Sequence, residues 1–210
     1  MHCRARLDYE SLCLAGWSFH RVVRRRLHST GLQVFPSGPY FNDDNLQQVL
    51  ISAIYLAESS IILTTPYFVP DEALNAAIKT ASIRGVDVKI ILPDKNDSRM
   101  VDFAGKGFFE ELLACGVEIY QYQGGLLHSK SILVDNKWCL VGTVNLDKRS
   151  VWLNFEVTLL IDNSPLILQL YQLQLSYISN SKQVFLSEWK KRSWWRKVLE
   201  NLFYLFNPLL

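Results

Sequence analysis

Six residues stand at the spacing H-x-K-x4-D-x6-G-T-x-N: His128, Lys130, Asp135, Gly142, Thr143 and Asn145. Their types suit one chemistry. An imidazole can act as nucleophile or proton carrier. An ammonium supplies positive charge, and a hydroxyl and an amide supply donors, which together suit a phosphate group. A bare H-x-K on a strand is most often surface chemistry. Agreement over the whole spacing is much rarer by chance.

The surrounding residues must form a hairpin for these groups to meet. Leu126, Leu127, Ile132, Leu133 and Val134 alternate with polar residues and predict a half-buried strand. Residues i and i+2 of a strand share a face, so His128 and Lys130 point the same way. Asp135 has the opposite parity and opens an Asp-Asn-Lys turn. The apolar run 138–141 returns antiparallel. A turn centred on Asn136 sets Lys130 opposite Gly142 and His128 opposite Val144, and a one-residue slip would undo this. A glycine facing the lysine is expected to leave room for a ligand to approach the backbone.

Elsewhere strands and helices alternate. Strands are predicted at 32–35, 60–64, 86–92, 117–121 and 153–161. Helices are predicted from Asp43 or Asp44 to about Ser59, over 71–84 and 99–114, and from a cap at 162–164 to about Ser179. This pattern predicts an α/β fold: an α/β/α sandwich with a mixed β-sheet, the hairpin and strand 153–161 supplying the antiparallel members. The loop Thr65–Pro70 leaves the C-terminal end of a strand, where α/β sheets line ligand crevices, so Tyr67 and Phe68 are placed at the edge of the site. The polar loop 94–98 is placed within reach of a substrate.

Length and composition bound the class. The chain has 210 residues, 49% hydrophobic and 20% charged, which indicates a globular domain rather than a disordered one. Net charge is +2 but unevenly spread: residues 1–30 hold six arginines against Asp8 and Glu10, and residues 182–200 hold six Lys or Arg against Glu188 and Glu200. Basic ends on an acidic middle suit an anionic partner, membrane or nucleic acid. The four cysteines (3, 13, 115 and 139) form no CxxC pair or Cys/His cluster. They predict neither zinc nor a disulfide framework, and suit a reducing compartment. Cys115 and Cys139 are read as buried small hydrophobes. No uninterrupted apolar run is long enough to predict a transmembrane helix, and charges break the N-terminal apolar stretch where a signal peptide would need continuity. His2, His20 and His28 have no lysine two residues on and are read as structural or exposed. Three segments are expected: a basic 1–30, a catalytic domain 31–182, and a tail 183–210. In the tail, Trp189, Trp194 and Trp195 interleave with Lys and Arg ahead of Leu and Phe, as in an interfacial amphipathic helix.

The central stretch resembles the HKD signature of the phospholipase D superfamily. SGP at 37–39, TPYFVPDEAL at 65–74, RGVDVKIILP at 84–93 and GTVNLDKRS-x3-LNFE at 142–156 are similar to the C-terminal catalytic half of bacterial cardiolipin synthases. The resemblance runs from about Leu32 to the terminus, with Thr143 where that family usually has serine. It implies phosphodiester exchange through a phosphohistidine. His128 would attack phosphorus, and Lys130, Thr143 and Asn145 would hold the phosphate oxygens. Glu156 would hydrogen-bond the histidine's second nitrogen and fix its tautomer. Asp135 counts with the motif's catalytic set, and its expected part is to orient the turn. The resemblance implies no metal and no cofactor. It also implies a second HKD motif, because one imidazole cannot serve both ends of an in-line displacement, and this sequence carries one.

Three readings follow. One is a cardiolipin synthase-like half, peripheral on an anionic bacterial cytoplasmic membrane. It would act on a phospholipid such as phosphatidylglycerol and be completed by a second HKD chain or as a homodimer. Another is a homodimeric phosphodiesterase or nuclease, for which the partner is nucleic acid. The third is a non-catalytic remnant.

Overall fold

A computed structural model describes residues 31–38 and 45–193. The expectations for 1–30, the cap at Asp43 or Asp44, and Trp194 and Trp195 lie outside the described residues. The elements in chain order are β1 (Leu32–Ser37), α1 (Asn45–Leu56), β2 (Ser60–Thr64), β3 (Phe68–Val69), α2 (Glu72–Ile83), β4 (Asp87–Pro93), α3 (Arg99–Lys106), α4 (Phe109–Ala114), β5 (Glu118–Tyr122), β6 (Ser131–Val134), β7 (Trp138–Gly142), β8 (Leu146–Asp147), α5 (Lys148–Trp152), β9 (Glu156–Ile161), α6 (Ser164–Ser179), β10 (Ser181–Val184) and α7 (Leu186–Lys190).

Eight strands form one sheet in the order β1-β9-β7-β6-β2-β4-β5-β10. β2, β4 and β5 run parallel. The hairpin β6–β7, together with β9, β1 and β10, pairs antiparallel. The sheet is therefore mixed. Its central strands are apolar on both faces, as strands sandwiched between helices must be: Ile61, Leu63, Val88 and Ile90 face one way, Ile62 and Ile91 the other, and all are buried. The first face packs against Leu50 and Ile54 of α1, Ile78 of α2 and Leu112 of α4. The second packs, with Leu133 and Cys139, against α6 through Ile167, Leu170 and Tyr171. That is the α/β/α sandwich. Among the described residues, no helix is long and apolar enough to cross a membrane.

Local sequence explains most boundaries. Asp71 caps α2 by accepting from Leu74 N at 2.8 Å. Ser98 and Asn163 cap α3 and α6 in the same way. The single helix expected over 99–114 is two, α3 and α4. Gly105 and Gly107 weaken it, and the chain turns so that Phe108 and Phe109 are both buried. The strand expected over 153–161 starts at Glu156. Leu153 instead ends α5, a short helix whose start is capped by the Asp147 carboxylate accepting from Ser150 N at 2.6 Å. β10 was not expected. Its sequence is polar, it is an edge strand, and Val184 is its one buried residue. The 182/183 position lies inside this strand, which pairs with β5.

The tail corrects another expectation. Trp189 is buried, its ring 4.9 Å from that of Phe109, with the Arg192 guanidinium 3.2 Å above it. It belongs to the core and not to an interfacial helix. Cys139 is buried as expected, while Cys115 is only partly so.

Candidate active site

The hairpin sets the site's geometry. Ser131 pairs with Val141, so the predicted register holds: Lys130 lies opposite Gly142, whose N–H donates to the Lys130 carbonyl at 3.2 Å. Asp135 and Asn136 both have φ of 53°, the paired left-handed conformation of a tight hairpin turn. β6 itself begins only at Ser131, so 126–130 approach the sheet as an irregular segment and not as the predicted strand.

Two further loops converge on this end. After β2, Thr65 is fully buried. It donates to the Tyr67 carbonyl at 2.8 Å and accepts from Leu146 N at 3.4 Å. The short parallel pairing of β3 with β8 then ties this loop to the segment following Gly142. After β4, Asn96 Nδ2 donates to the Pro66 carbonyl at 2.8 Å. The ends of β2 and β4 and the start of β6 thus open onto one patch.

Lys130 lies in that patch, half-buried, with Nζ donating to the His128 carbonyl at 2.9 Å. Burial pushes its pKa down, and the carboxylates of Glu156, Asp147 and Asp97 push back without cancelling that effect. His128 is exposed, its ring edge-on to that of Tyr67 with centroids 6.1 Å apart. Thr143 is exposed. Its Oγ1 accepts from Val157 N at 3.0 Å, which leaves the hydroxyl proton to donate outward. Asn145 Nδ2 donates to Ser150 Oγ at 2.9 Å, and its buried Oδ1 has no partner among the described residues.

Glu156 shares the face of Lys130, since Gly142 pairs with Thr158 and β9 alternates from there. Its carboxylate accepts from Asn154 Nδ2 at 3.2 Å. Among the described residues, no hydrogen bond joins it to His128. Asp135 sits apart from the patch, at the far end of β6. Its carboxylate accepts from the N–H groups of Glu58, Ser59 and Ser60 at 3.0, 2.7 and 2.9 Å and from Ser59 Oγ at 2.8 Å. Burial would raise its pKa, but those donors outweigh it and hold the carboxyl below its usual range. It fastens the turn to the start of β2, at the opposite end of β6 from the other motif residues.

The expectation at Gly142 is corrected. A Cβ there would meet the Val157 carbonyl oxygen at 2.2 Å and Thr158 Cα at 2.8 Å, so the glycine serves close packing of β7 on β9 and not access for a ligand. Beneath Lys130, a cavity of about 20 Å³ bounded by Thr64, Gly142 and Thr158 is too small for anything but a water molecule. The place for a substrate is the open surface above.

Sequence reasoning gave no role to Asp147 or Ser150. Asp147 is buried, and burial pushes its carboxyl pKa up despite the Ser150 bonds that oppose this. The available signal was an N-cap aspartate three residues ahead of a serine.

The class follows from fold and patch together. The structure of Nuc from Salmonella typhimurium, a phospholipase D family member, shares the fold with a TM-score of 0.64 and 22% identity, covering 74% of this chain and 99% of that one. Phosphatidylserine synthase of Haemophilus influenzae does so with a TM-score of 0.63 and 19% identity, over 85% of this chain and 46% of that one. The fold is that of phospholipase D.

Within that class, residues 50–176 match the family described as cardiolipin synthase, PLD-like domain, and the chain belongs to it. It is 54% identical over 179 residues to cardiolipin synthase A of Cronobacter sakazakii, and equally so to that of Yersinia pestis. The match covers 85% of this chain and 37% of each relative, so the chain spans little more than a third of the curated relatives' length.

Proposed function

We propose that this chain is one HKD-bearing half of a cardiolipin synthase-type phosphatidyltransferase, with phosphatidylglycerol as donor and acceptor. The carrying observation is that one exposed imidazole, His128, stands beside Lys130 in a patch open to solvent. A nitrogen of His128 attacks phosphorus, and the phosphorus–oxygen bond to the leaving glycerol breaks. A histidine from a second HKD chain protonates that oxygen. The same histidine then takes the proton of an acceptor hydroxyl, whose oxygen displaces His128 and completes cardiolipin. Lys130, Thr143 and Asn145 hold the phosphate oxygens. Glu156 supplies negative charge that favours the protonated form of Lys130. The second histidine comes from another copy or a separate chain, and the assembly works at the surface of an anionic bacterial membrane.

The test is incubation of the chain, alone and with candidate partner chains, with phosphatidylglycerol liposomes and separately with plasmid DNA. Cardiolipin plus glycerol, acid-labile phosphoprotein, and a loss of at least about 10³-fold in His128→Ala support the proposal. DNA cleavage without lipid exchange supports a nuclease in its place. A rate strictly proportional to protein concentration down to the monomer would overturn the requirement for a second chain.

A further inference from the structure

Tyr67 and Asp97 form a fixed polar wall beside His128 that phosphate chemistry does not explain. The Tyr67 hydroxyl donates to both Asp97 carboxylate oxygens, at 2.8 and 2.9 Å. Its ring stands edge-on to the His128 imidazole. Both loops are held from behind. Asn96 ties the Asp97 loop to Pro66, Thr65 ties down the Tyr67 carbonyl, and Ser98 N donates to Asp97 Oδ1 at 2.9 Å.

A carboxylate at this position repels a phosphate oxygen and attracts a hydroxyl proton. A carboxylate has about four lone-pair sites. Among the described residues its donors are one Tyr67 proton, shared between the two oxygens, and the Ser98 N–H on Oδ1, which leaves acceptor capacity on Oδ2. With its proton committed to Asp97, the Tyr67 oxygen is a second acceptor. Burial, with the Asp97 bond, pushes the Tyr67 pKa up from 10.0, so the phenol stays protonated and its polarity does not reverse.

We infer that Tyr67 and Asp97 form a subsite for a polyhydroxylated alcohol, two acceptors that take the hydroxyl groups of a glycerol-like head group while its phosphate lies against Lys130. The inference rests on the proposed phosphodiester site at His128 and adds which residues select the alcohol. Simple alcohols and water have no second hydroxyl to reach both acceptors.

Two measurements test it on the full chain with its partner. In exchange assays with glycerol and ethanol as competing acceptors, Asp97→Asn and Tyr67→Phe are expected to lower the ratio of kcat/KM for glycerol to that for ethanol by about tenfold or more, as loss of a hydrogen bond to a charged group implies. The loss should fall mainly on KM. In binding assays needing no turnover, glycerophosphoglycerol is expected to bind the wild type more tightly than dimethyl phosphate, and both variants should erase that difference. An unchanged glycerol-to-ethanol ratio, or equal binding of the two phosphodiesters by the wild type, overturns the subsite. Should no lipid exchange occur at all, the transferase proposal fails, while the binding comparison still decides the subsite.

Discussion

Gly142 lies so close to Val157 that a Cβ would stand 2.2 Å from the Val157 carbonyl oxygen. The neighbour is backbone held in the sheet, opposite Pro36 on one side and accepting from Thr143 N on the other, so it cannot swing aside. Gly142→Ala must push β7 from β9 or shift the hairpin, and overpacking of this kind costs about 1–3 kcal/mol. The urea midpoint is expected to fall accordingly. Thr143 and Lys130 sit on either side of the strain, so phosphate affinity should fall with it.

Asp135 gives a pH signature. Its folded pKa is depressed, so its contribution is complete above the unfolded value of about 3.9 and disappears as pH falls through the lower folded value. Asn tolerates the positive φ, so Asp135→Asn isolates the charge. Urea titrations should show the variant less stable by about 1–3 kcal/mol at pH 7. The two proteins should converge as pH falls below about 4.

The hairpin register was legible because a period of two and a three-residue turn leave few alternatives, and Ser131 opposite Val141 confirms it. The cap at Asp71 and the buried runs of β2 and β4 were legible for similar local reasons. Long-range causes were not. No local pattern shows that Gly142 touches Val157, that Asp135 reaches Ser60, or that Asn154 holds Glu156. Five residues of helix at α5 are too few for a period to register, and the apolar alternation of 153–161 hides that pairing starts only at Glu156. Tryptophan among lysines looks interfacial until a partner such as Phe109 is seen.

Trp189 tests that last correction. Its ring fills the space beside Phe109, so Trp189→Ala should cost about 3–5 kcal/mol as a cavity mutation. Calorimetry is expected to show the loss. Partitioning of the still-folded variant onto anionic liposomes should match the wild type, whereas a large fall would return Trp189 to the membrane.

Ser150 is 2% exposed and serves two masters: it accepts from Asn145 Nδ2 and donates to Asp147 at 3.2 Å. Ser150→Ala strands a half-buried amide and removes a bond that opposes the rise of the Asp147 pKa. A loss of about 1–3 kcal/mol is expected in denaturant titrations. Asn145, no longer held, should bind phosphate less well.

Lys130 carries the clearest electrostatic test of the site. Burial lowers its pKa from 10.5, and Glu156 is the foremost charge opposing that fall. A carboxylate near an ammonium favours the charged form, so removing it should depress the lysine further. In Glu156→Gln the Lys130 pKa is expected to drop below its wild-type value, with Asp97→Asn acting in the same direction. Carbon-13 NMR of the Lys130 Cε across alkaline pH, assigned through Lys130→Arg, reads this without requiring turnover. If phosphate is held by the charged lysine, the pH at which phosphodiester binding fails should move down with it. A Lys130 titration unmoved by Glu156→Gln would detach the carboxylate from the lysine.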